Sequence, residues 1–171
     1  MALWETVTDL ASQSDVLARR RFGAIETVGG RLTSIRLRPI PRIVWLPEVL
    51  LVGNRTHGAA PGDRCQLYYN QPWGHANFLA LKYVVSSRDC RLATLRAALV
   101  ALDEVARIKR SDALVCDAWN RRISERLLAR WGWQPLGQTR WRRPYVKRFY
   151  GRYPAANWPC EPLLPSLLSG P

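Results

Sequence analysis

Phe78-Leu79-Ala80-Leu81-Lys82-Tyr83-Val84-Val85 leads, through a short polar loop, into the run Leu92 to Ile108, which Ala113-Leu114-Val115-Cys116 then follows. The first segment is strongly apolar and reads as a central strand. In the second, Leu92, Leu95, Leu99, Leu102, Val105 and Ile108 recur at three- and four-residue steps. Arg96, Asp103, Glu104, Arg107 and Lys109 fall between them, the pattern of an amphipathic helix of about five turns. The third segment reads as a short buried strand. Strand, helix and strand joined by short loops imply a right-handed crossover and a parallel strand pair.

Working toward the C-terminus, Asn120 is a good N-cap for a helix carrying Ile123, Leu127, Leu128 and Trp131. Gly132 falls where a left-handed C′ residue belongs, and Pro135 prevents continuation. Residues 139–150 alternate again, with Pro144 at a bend. Toward the N-terminus, Gly29-Gly30 signals a turn before the alternating strand Arg31–Arg38. A strand at Val49–Val52 and a return strand at Arg64–Tyr69 predict a hairpin with a long connection. Leu10, Val16, Leu17 and Phe22 suggest one or two short helices within residues 1–28, capped by Ser14 or Asp15. The expected fold is thus an α/β (α+β mixed) domain. A central mixed β-sheet is flanked by helices, with a β-hairpin N-terminal half and a β-α-β-α-β-β C-terminal half. Residues 1–153 read as one domain and 154–171 as a proline-rich extended tail.

The chain has 171 residues, enough to bury roughly 70% of its unfolded surface without staples. Its 47% hydrophobic and 23% charged content argues against global disorder. No apolar run approaches the ~18 residues of a membrane span, so no membrane partner is expected. Met1 to Thr6 lacks a basic region and a long apolar core, so the expected address is cytoplasmic. Cysteines 65, 90, 116 and 160 lie far apart, and with two histidines they predict free thiols and no metal site. The net charge is +13, and residues 121–152 hold +9 of it, ten Lys or Arg against Glu125. An anionic partner is the expectation.

The segment 78–151 resembles the GNAT acyltransferase superfamily. There a central strand ends in an Arg/Gln-x-x-Gly-x-Gly/Ala loop that opens a long helix. Here that loop is Arg88-Asp89-Cys90-Arg91-Leu92-Ala93. Arg88 and Ala93 match, and Arg91 stands at the central glycine. Asn120 to Trp133 is similar to the family's Asn-…-Leu-Tyr-x-Lys-x-Gly-Phe segment, with Gly132-Trp133 for Gly-Phe. The resemblance implies a CoA thioester, acetyl-CoA or another acyl-CoA, and transfer of its acyl group to an amine. Arg88, Arg91, Leu92, Ala93 and Asn120 would hold the cofactor. A helix N-terminus offers up to four unpaired N–H donors to a pyrophosphate. Backbone near Val84 and Val85 would polarise the thioester oxygen. The family's frequent tyrosine acid aligns with Leu128, which cannot donate a proton.

Transfer also needs a base. Tyr68, Tyr69, His75, Asp117 and Tyr145 are the polar candidates near expected strand ends, and each also suits a packing role. Cys116 is a nucleophile only with a paired base, and none is visible. The alternative is a non-catalytic module of this fold that lays Arg121, Arg122, Arg140, Arg142, Arg143, Lys147 and Arg148 on nucleic acid or an acidic protein. Trp119, Trp131, Trp133 and Trp141 fall in the same window, although Trp131 and Trp133 fit core positions better. Arg91 opens one predicted helix, and Arg121 and Arg122 open the next. Cations are unfavourable there unless an anion joins them.

Overall fold

A computed structural model describes residues 5–39, 61–118, 123–137 and 143–158. Its elements are β1 (Glu5–Val7), α1 (Ser14–Arg19), β2 (Phe22–Val28), β3 (Arg31–Arg38), β4 (Arg64–Asn70), β5 (Phe78–Ser86), α2 (Leu92–Ile108), β6 (Ala113–Asp117), α3 (Glu125–Arg130), β7 (Gln134–Pro135) and β8 (Pro144–Arg148). The strands form one sheet in the order β1-β3-β2-β4-β5-β6-β8-β7. β5 and β6 run parallel, as the crossover through α2 requires. Every other described pair is antiparallel. The expected mixed α/β class and the β-α-β-α-β-β order of the C-terminal half are both present.

Several details depart from the sequence reading. Phe22–Val28 is a strand, with six of its seven residues buried. α1 begins after Gln13 and has no side-chain cap, although Asp15 lies in its first turn. β4 pairs with β2 on one edge and β5 on the other, so the expected hairpin partner of 64–69 gives way to these two strands. Val49–Val52 lies outside the described residues. α2 buries Thr94, Ala97, Ala98, Ala101, Leu102 and Val105, whereas Leu92 is 55% exposed. The expected stripe otherwise holds, since Leu102 and Val105 are buried and Leu95, Leu99 and Ile108 pack against the core, and the alanines widen that face where small side chains let helix and sheet approach closely.

α3 is capped by Ser124, whose Oγ accepts from the Leu127 N–H, and Glu125 fills its first turn. This corrects the expected Asn120 cap, and the first turn of α3 carries Glu125. Asn120, Arg121 and Arg122 lie outside the described residues. The helix ends as Gly132 predicts. Gly132 has φ +85, Trp133 N–H donates to Leu128 O and Gly132 N–H to Ala129 O. Leu128 and Trp133 bury together in the core, which gives Trp133 its packing role. Residues 154–158 form neither helix nor strand, yet Trp158 packs on the core.

At the far end of α2, Lys109 Nζ donates to Ala18 O at 3.1 Å and lies 3.4 Å from Gln71 Oε1. Burial, with Arg21 nearby, lowers its pKa from 10.5 to about 8. The folded chain thus holds fewer protons than the unfolded chain between those values, so this lysine makes stability rise with pH through that window. Urea unfolding at pH 8 and pH 10 should show that contribution in wild type. Lys109→Met should lose it, and an unchanged pH dependence in the variant would contradict the assignment.

Candidate functional site

The parallel pair is short. β5 and β6 are in register only over Phe78↔Ala113, Leu79↔Leu114, Ala80↔Val115 and Leu81↔Cys116. β5 continues to Ser86, held on its other edge by β4 through Tyr83↔Tyr68, Val84↔Leu67, Val85↔Gln66 and Ser86↔Cys65. β6 ends one residue later at Asp117, which is paired with Pro144 of β8. From Lys82 onward the β6-facing edge of β5 therefore has no strand partner among the described residues. Buried backbone polar groups are nearly always paired, so among the described residues such an edge is left to water or to a ligand. Val84, beside it, is 40% exposed. A register shift between Tyr68 and Tyr69 leaves Lys82 without an opposite residue, which places a bulge where the two strands part.

The loop after β5 is tied down. Ser87 N–H donates to Arg64 O at 2.9 Å, and Ser87 Oγ accepts from the Arg64 N–H at 2.9 Å and donates to Gly62 O. Arg91, the N-cap of α2, has extended backbone (φ −79, ψ 154) and makes no side-chain cap. Its N–H donates instead to Asp63 Oδ1 at 2.8 Å. The next two N–H groups, of Leu92 and Ala93, donate to no described residue. The first turn contains no acid, and the positive end of this 17-residue helix is met by the Asp63 carboxylate. Arg88, Arg91, Leu92 and Ala93 are all exposed here. Behind them Thr94 is fully buried. Its Oγ1 accepts from the Gly30 N–H at 2.8 Å and its carbonyl accepts from Thr27 Oγ1 at 3.0 Å.

Arg88, Arg91, Leu92, Ala93, Val84 and Val85 are thus gathered at one end of β5 and α2. Asp117 closes the β6 side of the gap, where its Oδ1 accepts the Arg143 N–H at 3.0 Å. Tyr68 faces Tyr83 edge-on across the bulge, ring centres 6.4 Å apart. Tyr145 is buried at 1% exposure and its Oη accepts from Arg143 Nη2 at 2.9 Å. His75 sits before β5, about 25 Å of strand away from Ser86, edge-on to Phe78. It does not reach the gap. Cys116 lies beside the parting, but burial and Asp117 push its thiol up to about 12, the opposite of an activated nucleophile. Leu128 is a core side chain. Lys82, Tyr83 and Asp63 belong to the site and were not singled out from sequence. The first two were visible as polar positions interrupting an apolar strand.

Next to the bulge, Tyr69 Oη and Asn70 Oδ1 are buried with no hydrogen-bond partner. They line a cavity of about 30 Å³ with Phe22, Gly23 and Lys82. Leaving a hydroxyl unpaired costs about 1–3 kcal/mol. Tyr69→Phe is therefore expected to stabilise the fold by about 1 kcal/mol in urea unfolding. A destabilised variant would mean that the hydroxyl has a partner, such as a water held in the cavity.

The three described basic residues of the alternative reading, Arg143, Lys147 and Arg148, are engaged with the protein itself. Arg143 bonds Tyr145, Lys147 Nζ lies 2.6 Å from Asp103 Oδ2, and Arg148 Nη1 donates to Gln134 Oε1 at 2.7 Å. Arg140, Arg142, Trp119 and Trp141 lie outside the described residues. Cys65, Cys90 and Cys116 are free thiols. Among the described residues no cluster of three or more His, Cys, Asp or Glu is placed to hold a metal ion, and no helix is long and apolar enough to cross a membrane.

No protein-family model and no curated protein sequence matches the chain. Among solved structures it is similar to a crystal structure of nourseothricin acetyltransferase, with a TM-score of 0.40 and 12% identity, over 86% of this chain and 99% of that one. So distant a likeness transfers no function.

Proposed function

We propose that the chain takes an acyl-CoA thioester at the open end of β5 and passes the acyl group to an amine. One observation supports this above all others. The parallel pair stops at Leu81 and Cys116, and the edge it frees lies at the same end of the sheet as the uncapped start of α2. An extended pantetheine arm needs such a slot, and a pyrophosphate needs such a helix start. The Leu92 and Ala93 N–H groups, Arg88 and Arg91 fit a diphosphate there. Asp63 already occupies the Arg91 N–H, so the Arg91 guanidinium supplies charge that its backbone does not.

The free edge of β5 from Lys82 to Val85 would direct N–H groups at the thioester oxygen. An amine attacking the carbonyl carbon forms the amide bond as the carbon–sulfur bond breaks, and its proton must leave. Asp117 and Tyr83 flank the gap on its two sides and are the groups best placed to take it. Leu128 leaves the departing sulfur without a tyrosine donor on α3, so solvent would protonate it.

Millimolar CoA or acetyl-CoA should raise the melting temperature through binding to the folded state alone. Arg91→Glu should abolish that shift while leaving the melting temperature without ligand close to wild type. A shift that survives in Arg91→Glu would remove the phosphate assignment. No shift in wild type, with salt-sensitive binding to oligonucleotides, would replace this reading by the nucleic-acid module.

A further inference from the structure

A groove runs along one flank of α2, between Arg96 and Asp103 on one wall and the end of α3, β8 and the segment after it on the other. Its volume is about 490 Å³, within the range of small-molecule sites. The walls are apolar at Leu99, Val100 and Phe149, and Arg96, Arg130 and Arg152 stand around it. The one acid lining it, Asp103, is consumed by Lys147 in an ion pair whose side chains are only 12% and 13% exposed. The three arginines have no carboxylate partner among the described residues, so the groove carries uncompensated positive charge over an apolar floor. Gly132 fits the corner because a Cβ there would press on Lys147 Cε at 3.3 Å.

We propose that this groove is a second ligand site that takes a small organic anion with an apolar or aromatic body. The body would lie on Leu99, Val100 and Trp131, and the carboxylate, sulfonate or phosphate would meet the arginines. Charge-assisted contacts from guanidinium groups suit all three anions. The site is separate from the start of α2. Its α2 wall lies roughly 7–18 Å along the helix from Arg91. It does not depend on the acyl-CoA reading.

The probe is 8-anilinonaphthalene-1-sulfonate, titrated into the full chain and read by its fluorescence. Saturable binding at one site per chain is expected. N-phenyl-1-naphthylamine, the same body without the sulfonate, should bind at least tenfold more weakly. Arg96→Gln/Arg152→Gln should weaken the sulfonate at least tenfold, whereas Arg19→Gln/Arg31→Gln, which removes two charges elsewhere, should change it less than twofold. Displacement by naphthalene-2-carboxylate or by 1-naphthyl phosphate supports the site and ranks the anion it prefers. Equal binding of the neutral probe, equal loss in both double variants, displacement by neither competitor, or displacement by CoA at the same concentration would each overturn it.

Discussion

Asp103→Ala is expected to destabilise the fold by about 3–5 kcal/mol, because it strands the Lys147 ammonium in a site from which water is largely excluded. The pair joins α2 to β8 at 2.6 Å, beside a buried helix face that is apolar from Ala97 to Ala106 apart from Asp103 itself. The reverse variant, Lys147→Met, should cost less. Burial already raises the Asp103 pKa, against the pull of Lys147, so an abandoned carboxyl can neutralise by taking a proton. A carboxyl raised in this way contributes stability that is fully present at low pH and lost as pH rises through its folded value. The Lys147→Met deficit should therefore shrink on acidification. Asp103→Leu/Lys147→Met, which removes both charges, should return close to wild type. Urea unfolding of the four proteins reads all of this, and a cost below about 1 kcal/mol for Asp103→Ala would show the pair to be solvated.

Gly23→Val is expected to cost about 3 kcal/mol. A Cβ at residue 23 would stand 2.6 Å from the Tyr69 ring, which crosses from the neighbouring strand and is itself only 2% exposed. Tyr69 cannot swing away without opening the core between β2 and β4. In a Tyr69→Leu background the same change should cost clearly less, since the branched side chain then fills the space the ring leaves. Equal costs in the two backgrounds would mean that the ring relaxes freely.

The crossover that organises the molecule was legible because β5 and α2 keep simple periods and their loops are short. β2 was not. Phe22, Ala24 and Ile25 are buried on both faces of the sheet, so no alternation marks them, and Gly23 reads as a breaker although it is there to admit the Tyr69 ring. α3 was placed too early because Asn120 and Ser124 both suit a cap. The Leu127 N–H chooses Ser124. Of the candidate site, Arg88, Arg91, Leu92 and Ala93 were suggested by the likeness of their loop to the GNAT motif, and Arg91 also by its place at the opening of a long helix. The bulge at Lys82 did not, since it exists only through the pairing of β5 with β4. Nor did Asp63, whose carboxylate reaches residue 91 from 28 positions away.

The two bonds that Thr94 makes to the turn and strand of the β2–β3 hairpin fasten the leading turn of α2 to the middle of the sheet. A frayed helix start would have to be ordered by its guest at the expense of affinity. Here the turn that carries Leu92 and Ala93 is already held in place by Thr94. The Gly30 amide should accordingly exchange its proton with solvent on the slow timescale of whole-molecule opening, whether or not a ligand is present.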